Sequence, residues 1–239
     1  ILWDLHRSRA LLPWSNTSSE FVGKRQISRS AIGVLQAADH HIFAGTADGS
    51  VVCLDVERAT YPALVMRTAH AQKISSIDAR LSASNLVATS ADDGFAKVWD
   101  TRTGQATLKL LADSELVEQV QFGCAHQILT CGSTGVRLWD MRTSNVLMTP
   151  LEEPTQAFTY DGSRIVMATA SKLCVAELGS LGLPPAELSL DPKPSPFPVH
   201  RQPSEEILRT FRLPVAHAKR LFVSHSSLVC LSQSEILGL

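Results

Sequence analysis

Short runs of β-branched and other apolar residues recur along the chain, each bounded by a cluster of turn residues. Ile42 to Thr46 leads through Ala-Asp-Gly-Ser into Val51 to Asp55. Leu86 to Ser90 leads through Ala-Asp-Asp-Gly into Phe95 to Asp100, and Gln127 to Cys131 leads through Gly-Ser-Thr-Gly into Val136 to Asp140. An apolar strand, a tight turn of residues that tolerate positive φ and a second apolar strand predict a β-hairpin each time. No stretch carries a 3.6-residue apolar stripe long enough for a major helix, so the pattern predicts an all-β fold.

The second strands of these hairpins end alike. Trp3-Asp4, Leu54-Asp55, Trp99-Asp100 and Trp139-Asp140 hold equivalent places, at steps of 51, 45 and 40 residues. Weaker copies of the ending lie at Ala176-Glu177 and at Ile236-Leu237. A period of roughly 40–45 residues with four short strands and a Trp-Asp ending marks the blade of a propeller. On these residues the chain resembles the WD-repeat β-propeller family. Counting repeats gives blades at about 1–14, 28–69, 74–111, 117–150, 156–213 and 220–239, expected to form part of a seven-bladed ring, with a complete smaller ring, its last blade finished by 1–14, as the alternative. The first of these is expected to lack its inner two strands and the last its outer one. Because Ile1 opens in the middle of a strand pattern, the chain reads as a piece of a longer protein. Residues 179–203 break the rhythm with seven of the twelve prolines, and predict a long loop inserted within a blade.

The family pattern also places a His before the first strand of a blade and an Asp in the hairpin turn. One blade matches it fully, with His70, Thr89, Asp93 and Trp99. The resemblance implies that these four form a buried hydrogen-bonded chain running from Trp to Thr to His to Asp. An indole N–H, a hydroxyl and an imidazole taken out of water each need partners, and such a chain satisfies them together. Other blades depart from the pattern. The one ending at Asp55 keeps the turn residue Asp48 but has Leu54 in place of Trp. The one ending at Asp140 keeps Trp139, yet has Asp113-Ser114 where Gly-His is usual and a shorter turn without Asp.

Composition narrows the function classes. Apolar residues make up 44% of the 239, charged residues 19%, and the formal net charge is −1. That supplies a core and announces no general attraction to nucleic acid or to an anionic membrane. Basic patches are sparse, Lys24-Arg25, Arg29 and Lys219-Arg220 being the densest, and aromatics are only 6%, so direct nucleic-acid binding is not expected. No apolar run approaches the roughly 20 residues of a membrane span, and no membrane insertion is expected. The five cysteines are odd in number, form no Cys-x-x-Cys pair and mostly sit in apolar runs. Buried free thiols in a reducing, intracellular compartment, cytoplasmic or nuclear, are the simple reading.

Candidate chemistry resolves into framework. Asp92-Asp93 with His70 has the residue types of an acid–base or metal site, but the repeat assigns Asp93 and His70 to the hydrogen-bond chain and Asp92 to the turn. His40-His41 has the types of a ligand pair, yet neighbouring strand residues point to opposite faces. No nucleophile elbow, phosphate loop or His-Glu-x-x-His is present, so neither an enzyme nor a cofactor is expected.

Two consecutive blades end in Trp-Asp-x-Arg, at Trp99 to Arg102 and Trp139 to Arg142. This is similar to the box of WD-repeat substrate receptors in cullin-RING ubiquitin ligases, where the Arg contacts the ligase adaptor. An Asp-x-Arg after a strand is also a local ion pair that closes a turn. The leading expectation is a non-catalytic scaffold or adaptor subunit whose partners are other proteins of a multisubunit assembly. A ligase receptor that binds a ubiquitin-ligase adaptor is the alternative, and a ribonucleoprotein-associated propeller the third. The candidate partner surfaces are the turns of Asp48 and Asp92 and the opposite-face turns of Arg102 and Arg142.

Overall fold

The computed structural model describes residues 30–55, 62–66, 69–124 and 126–177, together with the strands β1 (Leu2–Asp4), β2 (Arg9–Leu12) and those after residue 177 named below. Three complete sheets follow one another in the middle of the chain. The first holds β3 (Ile32–Ala38), β4 (His41–Thr46), β5 (Val51–Asp55) and β6 (Pro62–Met66). The second holds β7 (Ile74–Arg80), β8 (Leu86–Ala91), β9 (Phe95–Asp100) and β10 (Gln105–Leu111). The third holds β11 (Val117–Phe122), β12 (Gln127–Gly132), β13 (Gly135–Asp140) and β14 (Asn145–Leu151).

A fourth sheet joins β15 (Ala157–Tyr160), β16 (Arg164–Ala168), β17 (Lys172–Glu177) and β18 (Leu208–Arg212). Three strands, β19 (Ala218–Val223), β20 (Leu228–Ser232) and β21 (Ile236–Gly238), make a fifth sheet, and β1 with β2 a sixth. Every pairing is antiparallel and between neighbours in sequence, which is the all-β, four-stranded-blade architecture expected from the repeat. The loop expected over 179–203 lies outside the described residues. The described residues also include one short turn of helix, α1 (Leu81–Ser84), between β7 and β8. Asn85 ends it in the left-handed conformation, at φ 54°, with its N–H on the Leu81 carbonyl.

The first strands of successive sheets lie side by side, β3 against β7, β7 against β11, β11 against β15 and β15 against β19. The sheets that begin with β7, β11 and β15 are therefore flanked on both faces, which explains why the strands of the second and third read as near-continuous apolar runs. The second sheet shows the division. Val87, Ala91 and Trp99 join Phe43, Val51 and Cys53 of the sheet before it. Ala88, Ala96 and Val98 join Val120, Phe122 and Ile128 of the sheet after it. Leu129, Val136 and Leu138 then pack on Phe158, Ile165 and Met167. Adjacent residues such as Val98 and Trp99 serve opposite interfaces, as the two-residue strand period requires.

Two further regularities hold the sheets in place. Four first strands slip register at their start, between Ile32 and Val34, Ile74 and Ser76, Val117 and Gln119, and Ala218 and Arg220. Such a bulge bends the strand and sharpens its twist. Polar side chains then tie one first strand to the next. Asp78 accepts from the Phe122 N–H at 2.7 Å, and Gln119 from the Phe158 N–H at 3.0 Å. Gln121 both accepts from the Tyr160 N–H and donates to its carbonyl, each at 3.2 Å.

Candidate functional site

The second sheet carries the polar chain at its centre. His70, only 2% exposed, sits in the loop before β7 and reaches Asp93 of the β8–β9 turn, with Nδ1 3.0 and 3.1 Å from the two carboxylate oxygens. Its Nε2 lies 2.8 Å from the Thr89 hydroxyl, which accepts the Trp99 indole N–H at 2.9 Å. One proton arrangement satisfies all four groups: Nδ1–H donates to Asp93, and Nε2 accepts from Thr89. Burial pulls the imidazole below its ordinary 6.5, against the pull of Asp93. The pair is thus a hydrogen bond to a neutral ring. Burial would raise the Asp93 carboxyl, but the Ala71 N–H, then His70 and the Phe95 N–H, hold it below its ordinary 3.8. Within this set, Nε2 of His70 and both carboxylate oxygens of Asp93 are already hydrogen-bonded.

The third sheet keeps half of this arrangement and inverts the rest. Trp139 donates to Thr130 at 2.9 Å, at the place of the Trp99–Thr89 bond. No imidazole follows. The carboxylate comes instead from Asp113 in the loop before β11, also 2% exposed. It accepts from the Ser133 hydroxyl at 2.6 Å and from the Thr134 hydroxyl and N–H at 2.8 and 2.9 Å. In the second sheet the turn supplies the acid and the loop the donor. In the third the loop supplies the acid and the turn the donors. The residue types alone did not single out Asp113; the shortened, Asp-free turn facing it was the available signal.

The turns bearing Asp48 and Asp92 share one end of the strands. Asp48 accepts from the Thr46 hydroxyl and from the Ser50 N–H, at 3.2 Å for the latter, so its charge closes its own turn. The Thr46 bond is the main reason its carboxyl lies below the ordinary value. Asp92 is half-buried, and its N–H donates to the Lys73 carbonyl at 3.0 Å. Gly49 and Gly94, both at φ 80°, seat these turns on the following loops. A Cβ on Gly49 would fall 2.2 Å from the His70 carbonyl, and one on Gly94 2.7 Å from that of Asp113. Only glycine allows both the backbone conformation and the approach.

At the opposite end, Arg102 and Arg142 are superimposable in their bonding. Each backbone N–H donates 2.8 Å to the preceding Asp100 or Asp140, and each guanidinium closes a two-pronged bond on the same carboxylate. The side chains are nonetheless 71% and 58% exposed. The Arg102 fork holds the Asp100 carboxyl down at about 2. Asp161 and Arg164 make a similar pair in the fourth sheet, with a Nη2–Oδ2 distance of 3.0 Å. Among the described residues no cluster of three His, Cys, Asp or Glu is placed to hold a metal ion, and no helix is long and apolar enough to cross a membrane.

Solved structures align over most of the chain. A chain of a mitotic checkpoint complex matches at TM-score 0.66 and 14% identity, over 87% of this chain and 62% of its own. The Cps50 (Swd1) β-propeller domain of Myceliophteria thermophila matches at TM-score 0.62 and 16% identity, over 83% and 61%. This chain has the fold of a β-propeller. No family model matches it. Among curated proteins, the U3 small nucleolar RNA-associated protein 15 of Saccharomyces cerevisiae is 34% identical over 111 residues, which are 45% of this chain and 21% of the yeast protein. The THO complex subunit 6 of Arabidopsis thaliana is 24% identical over 139 residues, 55% of this chain and 37% of the plant protein. The chain therefore spans well under half of either relative.

In the propeller frame the candidate residues fall into three groups. His70, Thr89, Asp93 and Trp99 come together inside one blade. Asp48 and Asp92 lie in different blades at one end of the strands, and Arg102 and Arg142 in different blades at the other. Sequence reasoning missed Asp113 and the ties through Asp78, Gln119 and Gln121.

Proposed function

We propose that this propeller is a non-catalytic scaffold or adaptor subunit of a multiprotein assembly of the cytoplasm or nucleus. One observation carries the reading. The groups with catalytic potential, His70 and Asp93, are spent on buried framework bonds, while the turns of Arg102 and Arg142 carry exposed charged side chains. A rigid frame with variable loops offers several separate binding patches. The mitotic checkpoint complex neighbour is named for a multiprotein assembly, which supports the same reading.

Affinity capture of the full-length protein, read by mass spectrometry, tests it. A set of proteins recovered in near-stoichiometric amounts is the expected result. Recovery of the protein alone, with turnover of a small molecule by the pure chain, would overturn the proposal.

A second reading, membership of an RNA-associated assembly through protein contacts, is favoured by the names of the U3 small nucleolar RNA-associated and THO complex relatives. RNA in the captured material that survives high salt only when the protein partners are present supports it. The ligase-receptor reading rests on the exposure of Arg102 and Arg142. It predicts a ligase adaptor in the wild-type capture that disappears with Arg102→Ala/Arg142→Ala, and an unchanged set eliminates it.

A further inference from the structure

The first strands β7, β11 and β15 repeat one contact with different chemistry. Asp78 of β7 and Gln121 of β11 each lie two residues past the slipped register that opens their strand, so they hold equivalent places. Their partners are equivalent too. Phe122 faces Ile128 across its sheet and Tyr160 faces Ile165, and those two face Trp139 and Ala176 in turn. Gln121 grips both backbone groups of Tyr160, accepting from its N–H and donating to its carbonyl, each at 3.2 Å. Asp78 accepts from the Phe122 N–H at 2.7 Å and from the Ala79 N–H at 3.0 Å. An ionised carboxylate has nothing to donate to the Phe122 carbonyl.

We propose that Asp78 is a proton-operated clasp between the second and third blades. Ionised, it holds Phe122 by the N–H alone. On taking a proton from water, its O–H donates to the Phe122 carbonyl and reproduces the two-bond grip of Gln121 on Tyr160. A protonated carboxyl keeps acceptor capacity, so the bond from the Phe122 N–H survives the change. The junction therefore tightens as the pH falls. The His70 chain behaves in the opposite sense, because its imidazole must stay neutral to accept from Thr89.

The surroundings favour that uptake. Burial between the sheets raises the Asp78 carboxyl above its ordinary 3.8, and it outweighs the Phe122 and Ala79 N–H groups and the Arg80 charge, which lower it. Few other charges reach the place. Strands β3 and β8 carry no ionisable residue, and β4 carries only His41, whose ring stacks on Phe43 with centroids 6.4 Å apart. Strand β11 carries only Glu118, four residues before Phe122. Arg80, on Asp78's own strand, places its guanidinium 5.0 Å from the centre of the Phe122 ring and bonds the Gly123 carbonyl. Beyond it, Cys124 Sγ and the Tyr160 hydroxyl lie 3.0 Å apart. Burial, and then that bond, push the Tyr160 phenol up, so it stays neutral through the acid range.

The test follows both partners at once, by NMR of the full chain with isotope-labelled aspartate side chains and phenylalanine carbonyls. Asp78→Asn identifies the carboxyl signal, and Phe122→Leu the carbonyl signal. The Asp78 carboxyl is expected to titrate above its ordinary 3.8, and the Phe122 carbonyl to shift with the same midpoint. A midpoint at or below 3.8 would overturn the proposal. So would a Phe122 carbonyl that does not follow the titration, since that is a desolvated carboxyl without a clasp. Stability gives an independent reading. Between 3.8 and its folded midpoint the native Asp78 binds a proton that the unfolded chain does not, so wild type gains stability as the pH falls through that window. The melting temperature of Asp78→Asn minus that of wild type should therefore fall by about 2–4 °C from about pH 7 to about pH 4. Gln121→Glu, which places an acid at the next junction, should melt below wild type near neutral pH and recover part of the loss on acidification. A level Asp78→Asn difference, or a Gln121→Glu loss that does not recover, would each contradict the clasp.

Discussion

Blades β7–β10 and β11–β14 solve one problem in opposite ways. Both bury a Trp whose indole N–H must be bonded, and both give it a Thr hydroxyl at 2.9 Å. In the first, Thr89 passes the bond on through His70 to Asp93, so the hydroxyl serves two partners. In the second, the Trp139–Thr130 bond stands apart from the carboxylate of Asp113, which braces the turn directly. What the two blades share is a buried acid where the loop meets the turn. Which side supplies it, and whether an imidazole intervenes, differs. The requirement is for satisfied polar groups at that place, and more than one set of residues meets it.

Breaking the shared element comes first, because it has the largest effect. Trp99→Ala and Trp139→Ala each remove a large buried side chain and should cost about 3–5 kcal/mol, read from urea unfolding by circular dichroism. Costs differing several-fold between the two would show that the blades are not equivalent frames. Next in size, Asp113→Ala leaves the Ser133 and Thr134 donors facing nothing in a buried site. A loss of about 2–3 kcal/mol is expected, with Asp113→Asn recovering part of it. A neutral Asp113→Ala would mean that water serves those donors equally well.

The hydroxyls then separate the two designs. Thr89→Val strands both Trp99 and His70 and should cost about 1–2 kcal/mol, whereas Thr130→Val strands Trp139 and should cost about half of that. Equal costs would remove the distinction between a relayed and a terminal hydroxyl.

The smallest effect is in the pH dependence. His70 binds a proton less readily folded than unfolded, so its contribution to stability is complete above its ordinary 6.5 and declines as the pH falls below it. Burial would raise the Asp113 carboxyl, but the Ser133 and Thr134 bonds hold it below its ordinary 3.8, so it contributes until the pH falls below that value. The stability gap between wild type and His70→Gln should therefore shrink from about pH 7 to about pH 5, while the gap to Asp113→Ala stays level. A flat His70 gap would contradict the neutral, desolvated imidazole.

This comparison also shows how far the sequence could be read. Strand runs, turn glycines and the Trp-Asp period are local, so the all-β blades could be found from them. His70, Thr89, Asp93 and Trp99 could be chosen as a set because all four motif positions are filled in one repeat. Asp113 could not, because it stands in the place of a Gly and its role depends on a turn some twenty residues away. The ties from Asp78, Gln119 and Gln121 cross between blades, and no short-range pattern marks a residue that bonds to a neighbouring repeat. Helix α1 escaped for a different reason: four residues are too few to show a helical period. His41, weighed in the sequence only as half of a ligand pair, begins β4 and buries its Nδ1, which no local pattern could show.

The account holds that the buried Trp–Thr–His–Asp chain is framework and that function resides on the exposed loops. Partner capture by folded His70→Gln, at a temperature well below its melting point, tests that division most directly. The account predicts a less stable protein that recovers the same partners as wild type. A variant of unchanged stability that loses its partners would contradict it, because His70 would then belong to the working surface.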